Sequence, residues 1–304
     1  MNEFNQRVRE ALTGPICSLP TPFAADETID YRALGGMIDF QLASGFGVIF
    51  LTPGNSHFNC LADAEIAELC RFTVDAVGGR ALTVVGSFSR GTAATLAGAR
   101  YARECGADLF LPFPPNWAGS CTAGTLIDYF TAVAAEMPLL LIYPALGAVP
   151  ESTTVIEEVQ RRTGGRVAAV KDDLCQPISR RMTAALSGEC AVFSGGQKQN
   201  FLNIRPYGAV GYLSTIGMFR PEVAREFYRA LEEGNERRAV ELILTVDMPF
   251  FDALLACPGS FDAGIHAVME MYGFCSRHRR APYYDLTDAE VEELREKIHH
   301  IGLI

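Results

Sequence analysis

The run Pro138-Leu139-Leu140-Leu141-Ile142-Tyr143 is apolar throughout, and a second run, Val167-Ala168-Ala169-Val170-Lys171, follows it after a helix-period stretch over Thr153–Thr163. Neither run alternates apolar with polar residues. A strand of that kind is covered on both faces, as parallel strands flanked by helices are. The stretch therefore reads as one strand–helix–strand unit.

The same rhythm extends both ways along the chain. Further strands are predicted at Ile16–Leu19, Gly47–Leu51, Leu82–Gly86, Asp108–Pro112, Ala191–Ser194 and Val210–Ser214. Helical patterns lie at Tyr31–Ser44, Ala62–Val77, Thr92–Cys105, Ala123–Glu136, Pro177–Ser187, Gln199–Tyr207 and Pro221–Gly234. Many of these helices end at a glycine just before the next strand, among them Gly78 and Gly106, the residue type that most readily takes the positive φ of a helix terminus. Eight strand–helix units close into an α/β (β/α)8 barrel, a TIM barrel. An open doubly wound sheet would carry a glycine-rich phosphate turn after its first strand; here that strand runs into Leu19-Pro20-Thr21-Pro22-Phe23. Residues 1–234 are assigned to the barrel. Residues 235–304, helical over Asn235–Leu255, Gly264–Tyr272 and Asp288–His300, form a C-terminal extension packed on it.

Composition narrows the function. The 304 residues are 49% apolar and 20% charged, with a net charge of −10. An acidic chain does not suit nucleic acid or an anionic membrane surface as its main partner. No apolar run is long enough to span a bilayer, and Met1–Gly14 carries charges without the apolar core of a secretion signal. Nine cysteines, an odd number without a C-x-x-C pair, read as buried thiols of a cytoplasmic protein. No cluster of metal ligands appears, and no cofactor is called for.

The chain holds 23 arginines and three lysines, Lys171, Lys198 and Lys297. Lys297 sits in the charged last helix, an ordinary surface place. Lys171 ends an apolar strand. In a barrel the C-terminal strand ends form the active-site rim. There a lysine stem lies among Val and Ala side chains, which disfavours the ammonium form, and a neutral amine is what attack on a carbonyl requires. The alternative is a lysine that reaches solvent and pairs with a neighbouring Asp. Tyr143 ends the preceding strand, 28 residues earlier. A phenol beside a carbinolamine can carry the proton that leaves with water; a packing tyrosine is the other reading.

Taken in order, these residues resemble the dihydrodipicolinate synthase / N-acetylneuraminate lyase family of Schiff-base aldolases and dehydratases. Leu19-Pro20-Thr21-Pro22-Phe23 is similar to its T-P-F, Ile142-Tyr143-Pro144 to its tyrosine motif, and Val170-Lys171-Asp172 to its lysine motif. Ser194-Gly195 resembles its S-G turn, and Gly208-Ala209-Val210-Gly211 its last strand entry. The resemblance covers the chain from about Pro15 to the end. It implies a lyase in which Lys171 forms the Schiff base with a 2-oxo acid and Tyr143 shuttles protons. It also implies a homo-oligomer, dimer or tetramer.

The departures bear on substrate. The family's G-T-T-G-E turn falls on Pro53-Gly54-Asn55-Ser56-His57. Gly54, Asn55 and Ser56 are expected to bind the 2-oxo acid carboxylate, partly through backbone N–H groups, with Gly195 and Ser214 at later strand ends completing the substrate set. Gly54 has no hydroxyl to relay a proton; Ser56 has one. His57 is either catalytic or holds the turn. Asp173 either shares the pocket with Lys171, opposing a second anionic group on the substrate, or turns outward to cap the helix near Pro177. The synthase branch's arginine falls on Ala145–Val149, without a cation, and its inserting aromatic on Pro114. The expectation is therefore a lyase acting on pyruvate or a keto-deoxy sugar acid, by aldol chemistry or dehydration, and not a true dihydrodipicolinate synthase. Two rivals stay open: a barrel that binds a ligand without catalysis, and a metal-dependent aldolase, for which only His57 qualifies as a strand-end ligand. Trp117 lines a lid or covers the core, and Arg277–Arg280 reads as a solvated turn.

Overall fold

The structure, a computed structural model, describes residues 1–143, 152–174 and 176–304. The strands are β1 (Gly14–Ile16), β2 (Val48–Phe50), β3 (Leu82–Gly86), β4 (Leu109–Leu111), β5 (Leu139–Tyr143), β6 (Val167–Asp172), β7 (Ala191–Ser194) and β8 (Gly211–Leu213). All ladders are parallel, in the order β1-β8-β7-β6-β5-β4-β3-β2. A bridge from Ser18 to Phe50, with the Leu19 N–H donating to the Phe50 carbonyl at 2.9 Å, closes the ring.

Helices α1 (Glu3–Ala11), α2 (Tyr31–Ala43), α3 (Asp63–Val77), α4 (Thr92–Cys105), α5 (Ala123–Glu136), α6 (Ser152–Thr163) and α7 (Pro177–Leu186) belong to the first two-thirds of the chain. They are followed by α8 (Lys198–Ile204), α9 (Pro221–Glu232), α10 (Glu236–Leu242), α11 (Met248–Leu255), α12 (Ser260–Met271) and α13 (Asp288–His300). The fold is a (β/α)8 barrel with appended helices. Residues of α11, α12 and α13 share the apolar layer that lies between barrel and helices, so burial joins the extension to the barrel. No helix among the described residues is long and apolar enough to cross a membrane.

Strand residues divide between two apolar layers. Along β5, Leu140 and Ile142 face the barrel interior, whereas Leu139, Leu141 and Tyr143 face the helices. This is the alternation that the pleat imposes.

Two elements differ from expectation. The first strand pairs over Gly14–Ile16 rather than Ile16–Leu19. Close approach of Gly14 to Gly211 permits this: a Cβ on Gly211 would lie 2.0 Å from the Leu12 carbonyl oxygen. Beyond Ser18 the prolines at 20 and 22 offer no N–H to continue a ladder. The second is α1, hidden in a stretch that looked merely charged. Its Val8, with Leu12 just past its end, inserts among inward-facing strand residues at the N-terminal end of the barrel. The Asn5 side chain donates to the Gly165 and Glu189 carbonyls at 3.0 and 3.1 Å, just ahead of β6 and β7.

The cysteines within the described residues are free thiols, with Cys17, Cys70 and Cys190 buried. Lys198 is also buried. A π-helical turn, Ile243–Asp247, between α10 and α11 brings Asp247 to it, so that the carboxylate accepts the Lys198 backbone N–H at 3.0 Å and pairs with its ammonium. A pair this deep is fully committed to structure.

Candidate active site

At the C-terminal rim lies a cavity of about 590 Å³, lined by Thr52, Gly54, Asn55, Asn59, Lys171, Asp173 and Tyr283, with Phe88, Phe113 and Ile142 among its apolar walls. Lys171 is only 7% exposed, so it does not reach out to solvent. Its Nζ donates to Asp173 Oδ2 at 2.9 Å. Asp173, its side chain 34% exposed, faces the cavity. Asp172 instead ties the loop down, accepting from the Leu174 N–H at 3.2 Å and the Ser179 hydroxyl at 3.0 Å. Helix attachment therefore falls on Asp172 and leaves Asp173 to the lysine.

Gly195 makes that pair sterically possible. A Cβ there would stand 1.5 Å from Asp173 Oδ1 and 3.0 Å from Lys171 Cε. Its N–H donates to the Asp172 carbonyl at 2.7 Å, which holds the two strand ends together.

Of the other expected site residues, Gly54 and Asn55 line the cavity, whereas Tyr143, Ser56 and Ser214 are not among its described lining. Tyr143 belongs to the outer layer, and it is Ile142, paired with Lys171 across the ladder, that faces the cavity. Ser56 is fully buried with its groups engaged: its hydroxyl donates to the Leu19 carbonyl at 2.6 Å and accepts from the Thr52 N–H at 3.0 Å, and its N–H goes to the Thr52 carbonyl. It shapes the turn that presents Gly54 and Asn55. The Asn55 amide donates to Ser18 Oγ at 2.7 Å. Ser214 accepts from the Gly217 N–H at 3.1 Å, closing the turn after β8. Pro114 is buried, and Ala145–Val149 lies outside the described residues. Trp117, 85% exposed, neither covers the core nor lines the cavity; Phe113 does the latter.

His57 is held within the fold. Its ring lies between those of Phe23 and His266, with centroids 5.8 and 5.0 Å away, and its Nε2 is 2.8 Å from Asp262 Oδ2. The same oxygen accepts from Arg279 Nη1 at 2.8 Å. Arg279 is buried, Arg280 is bound to both Glu65 oxygens, and Arg277 to Glu270 and Asp288. The basic run is therefore not a solvated turn. It is a strap whose countercharges come from α3, α12 and the start of α13, and it delivers Tyr283 to the cavity, where Asn59 donates to the phenol oxygen.

His57, Asp262 and His266 bring ligand atoms within 4.8 Å of one another. Their arrangement does not suit a metal ion. The two rings stack within 14° of parallel, so their nitrogen lone pairs run side by side and do not converge, and a guanidinium already occupies the carboxylate oxygen. His266 has neither ring nitrogen hydrogen-bonded. Burial first, then the neighbouring His57, push its pKa down to about 3. The unfolded chain binds that proton below about pH 6.5 and the folded chain does not, so stability falls as the pH drops from 6.5 toward 3. His266 alone contributes a slope of about 1.4 kcal/mol per pH unit. We expect His266→Leu to narrow the stability gap between pH 7.5 and 5 by about 2 kcal/mol, measured by urea unfolding.

A buried lysine in the rim cavity of an eight-stranded barrel marks the chain as a (β/α)8 enzyme of the kind that works at strand ends. The profile of the Dihydrodipicolinate synthetase family matches residues 11–301, and the chain belongs to that family of lyases. It is 28% identical over 291 residues to the probable 5-dehydro-4-deoxyglucarate dehydratase 1 of Streptomyces coelicolor, covering 93% of this chain and 90% of that one. To the 4-hydroxy-tetrahydrodipicolinate synthase of Chelativorans sp. it is 25% identical over 299 residues, covering 96% and 99%. The crystal structure of dihydrodipicolinate synthase from Oceanobacillus iheyensis superposes with a TM-score of 0.85 at 21% identity, over 99% and 100% of the two chains; at that identity the likeness is one of fold.

Proposed function

We propose that this enzyme is a class I lyase in which Lys171 forms a Schiff base with a 2-oxo acid, pyruvate or a keto-deoxy sugar acid. The observation that carries the reading is the Lys171 amine, buried in the cavity wall at the end of β6. The Gly54–Asn55 turn, which lines the same cavity, takes the substrate carboxylate. The protonated imine then draws electrons from the C3–H bond, the C3 proton passes to a base, and the enamine so formed expels the C4 hydroxyl, which takes up a proton and leaves as water.

Dehydration is favoured over aldol cleavage. A keto-deoxy sugar acid suits a cavity whose other polar side chains are Thr52, Asn55, Asn59 and Tyr283, hydroxyls and amides matched to a polyol chain. No cation besides Lys171 is among the described lining residues, and residues 144–151, Pro-Ala-Leu-Gly-Ala-Val-Pro-Glu, contain none. The Streptomyces relative named as a dehydratase supports the same choice.

Incubation with pyruvate or a panel of larger 2-oxo acids, followed by borohydride, is expected to add the reduced acid's mass to the peptide containing Lys171. Absence of an adduct with every acid would overturn this reading and favour a barrel that binds without catalysis.

A further inference from the structure

We infer that the substrate is a 2-oxo acid with a single carboxylate and an uncharged, hydroxylated far end, an aldonic-type acid and not a diacid. The inference rests on the Schiff-base reading above and narrows the substrate class within it.

The charges of the cavity carry it. Among the described lining residues Lys171 and Asp173 alone are charged, and they are spent on each other at 2.9 Å. Once the imine nitrogen is protonated, its positive charge faces both Asp173 and the substrate's own carboxylate. A second carboxylate would find no cation left. Residues 144–151 and Cys175, outside the described set, contain none and add the acidic Glu151. Arg90, two residues past Phe88, is bound to Asp63 at 2.9 Å. Arg279, whose guanidinium lies 5.5 Å from the Tyr283 ring, is held by Asp262 at 2.8 Å, with Asp285 a further 3.8 Å contact.

An uncharged chain finds partners instead. With Lys171 on C2 and the Gly54–Asn55 turn on the carboxylate, the polar lining left for the rest of the chain is Thr52, Asn59 and Tyr283. Asn59 donates to the Tyr283 oxygen. That leaves the phenol proton to donate and the amide oxygen of exposed Asn59 to accept, one of each, as a hydroxyl requires. The Cys60 thiol beside the phenol is a weak acceptor that a substrate oxygen outcompetes. Burial, working against the bond from Asn59, holds the phenol pKa above its ordinary value, so the donor proton stays in place. His57, edge-on at 5.2 Å, fixes the ring.

The test is a competition. Equal amounts of pyruvate, a 3-deoxy-2-oxo-hexonate and the hexarate of the same C4 and C5 configuration are mixed with limiting enzyme and borohydride, and the Lys171 adducts are counted by mass. A second carboxylate about 7 Å from Asp173 is disfavoured roughly 50-fold at the effective dielectric of a protein rim. The hexonate adduct is therefore expected to exceed the hexarate adduct by at least about tenfold. Asn59→Lys supplies the missing cation, and Asp173→Asn removes the repelling charge; each should move that ratio toward the hexarate by at least about tenfold. Tyr283→Phe, which removes a hydrogen bond to the chain, should lower the hexonate-to-pyruvate ratio by at least about fivefold. Each readout is a ratio within one sample, so a variant that forms adducts slowly still reports. A preference or shift short of these values, in protein that circular dichroism shows to be folded, overturns the inference, as does pyruvate trapped without the hexonate. No adduct with any acid, pyruvate included, sinks the Schiff-base reading itself, so the two failures are distinguishable.

Discussion

Lys171→Met is expected to lower enamine formation by about 10⁴-fold or more, as removal of a covalent nucleophile does. The measurement needs no knowledge of the physiological substrate: exchange of the pyruvate methyl protons in D₂O, followed by NMR, reads the enamine directly. Methionine keeps most of the stem's volume against Ile142 and its neighbours. The carboxylate left behind is one-third open to water, so it stays solvated. Melting within a few degrees of wild type, together with exchange at the buffer rate, would show that the loss is chemical. Exchange within about tenfold of wild type would rule out Lys171 as the nucleophile.

The second large effect is on stability. Asp262→Ala is expected to lower the free energy of unfolding by about 3 kcal/mol, the cost of breaking a buried charge pair from one side. Arg279, its side chain 2% exposed, would keep only a 3.8 Å contact with Asp285, and buried His57 Nε2 would lose its acceptor. Asp262→Asn, which still offers an acceptor oxygen, should cost about half as much. Burial pushes the Asp262 carboxyl up, but the hydrogen bond and charge of His57, with His266 and Arg279, outweigh it and bring it down to about 2. Its contribution is therefore present above about pH 4 and lost between 4 and 2; the alanine variant should lack that part of the acid limb. Unfolding is best followed by circular dichroism, because Trp117, the lone tryptophan, is exposed in both states.

The barrel was legible because its strands are continuous apolar runs, short and closely bounded by turn residues, and length and flanks together tell such runs from buried helix segments. α1 escaped because its apolar face is a short stripe, Phe4, Val8 and Leu12, within a charged segment. Lys171 stood out as a charged residue ending an apolar strand in a lysine-poor chain. What the sequence concealed was direction. Whether Tyr143 or Ile142 faces inward depends on strand phase, and the ladder of β5 with β6 shifts register between Leu139 and Leu140, which no local pattern announces. The strap is hidden in the sequence for a related reason. Arginines in a row resemble a solvated face until Glu65, Asp262, Glu270 and Asp288 are brought beside them, and Tyr283 comes to the cavity only because they are.

The helix plugged into the far end of the barrel makes the enzyme a blind-ended vessel. Val8 and Leu12 are fully out of contact with solvent and pack against the inward-facing strand residues, so among the described residues they stopper the bottom. On the proposed function, whatever the reaction releases must leave by the mouth through which the next substrate arrives, so that exit and entry share one doorway.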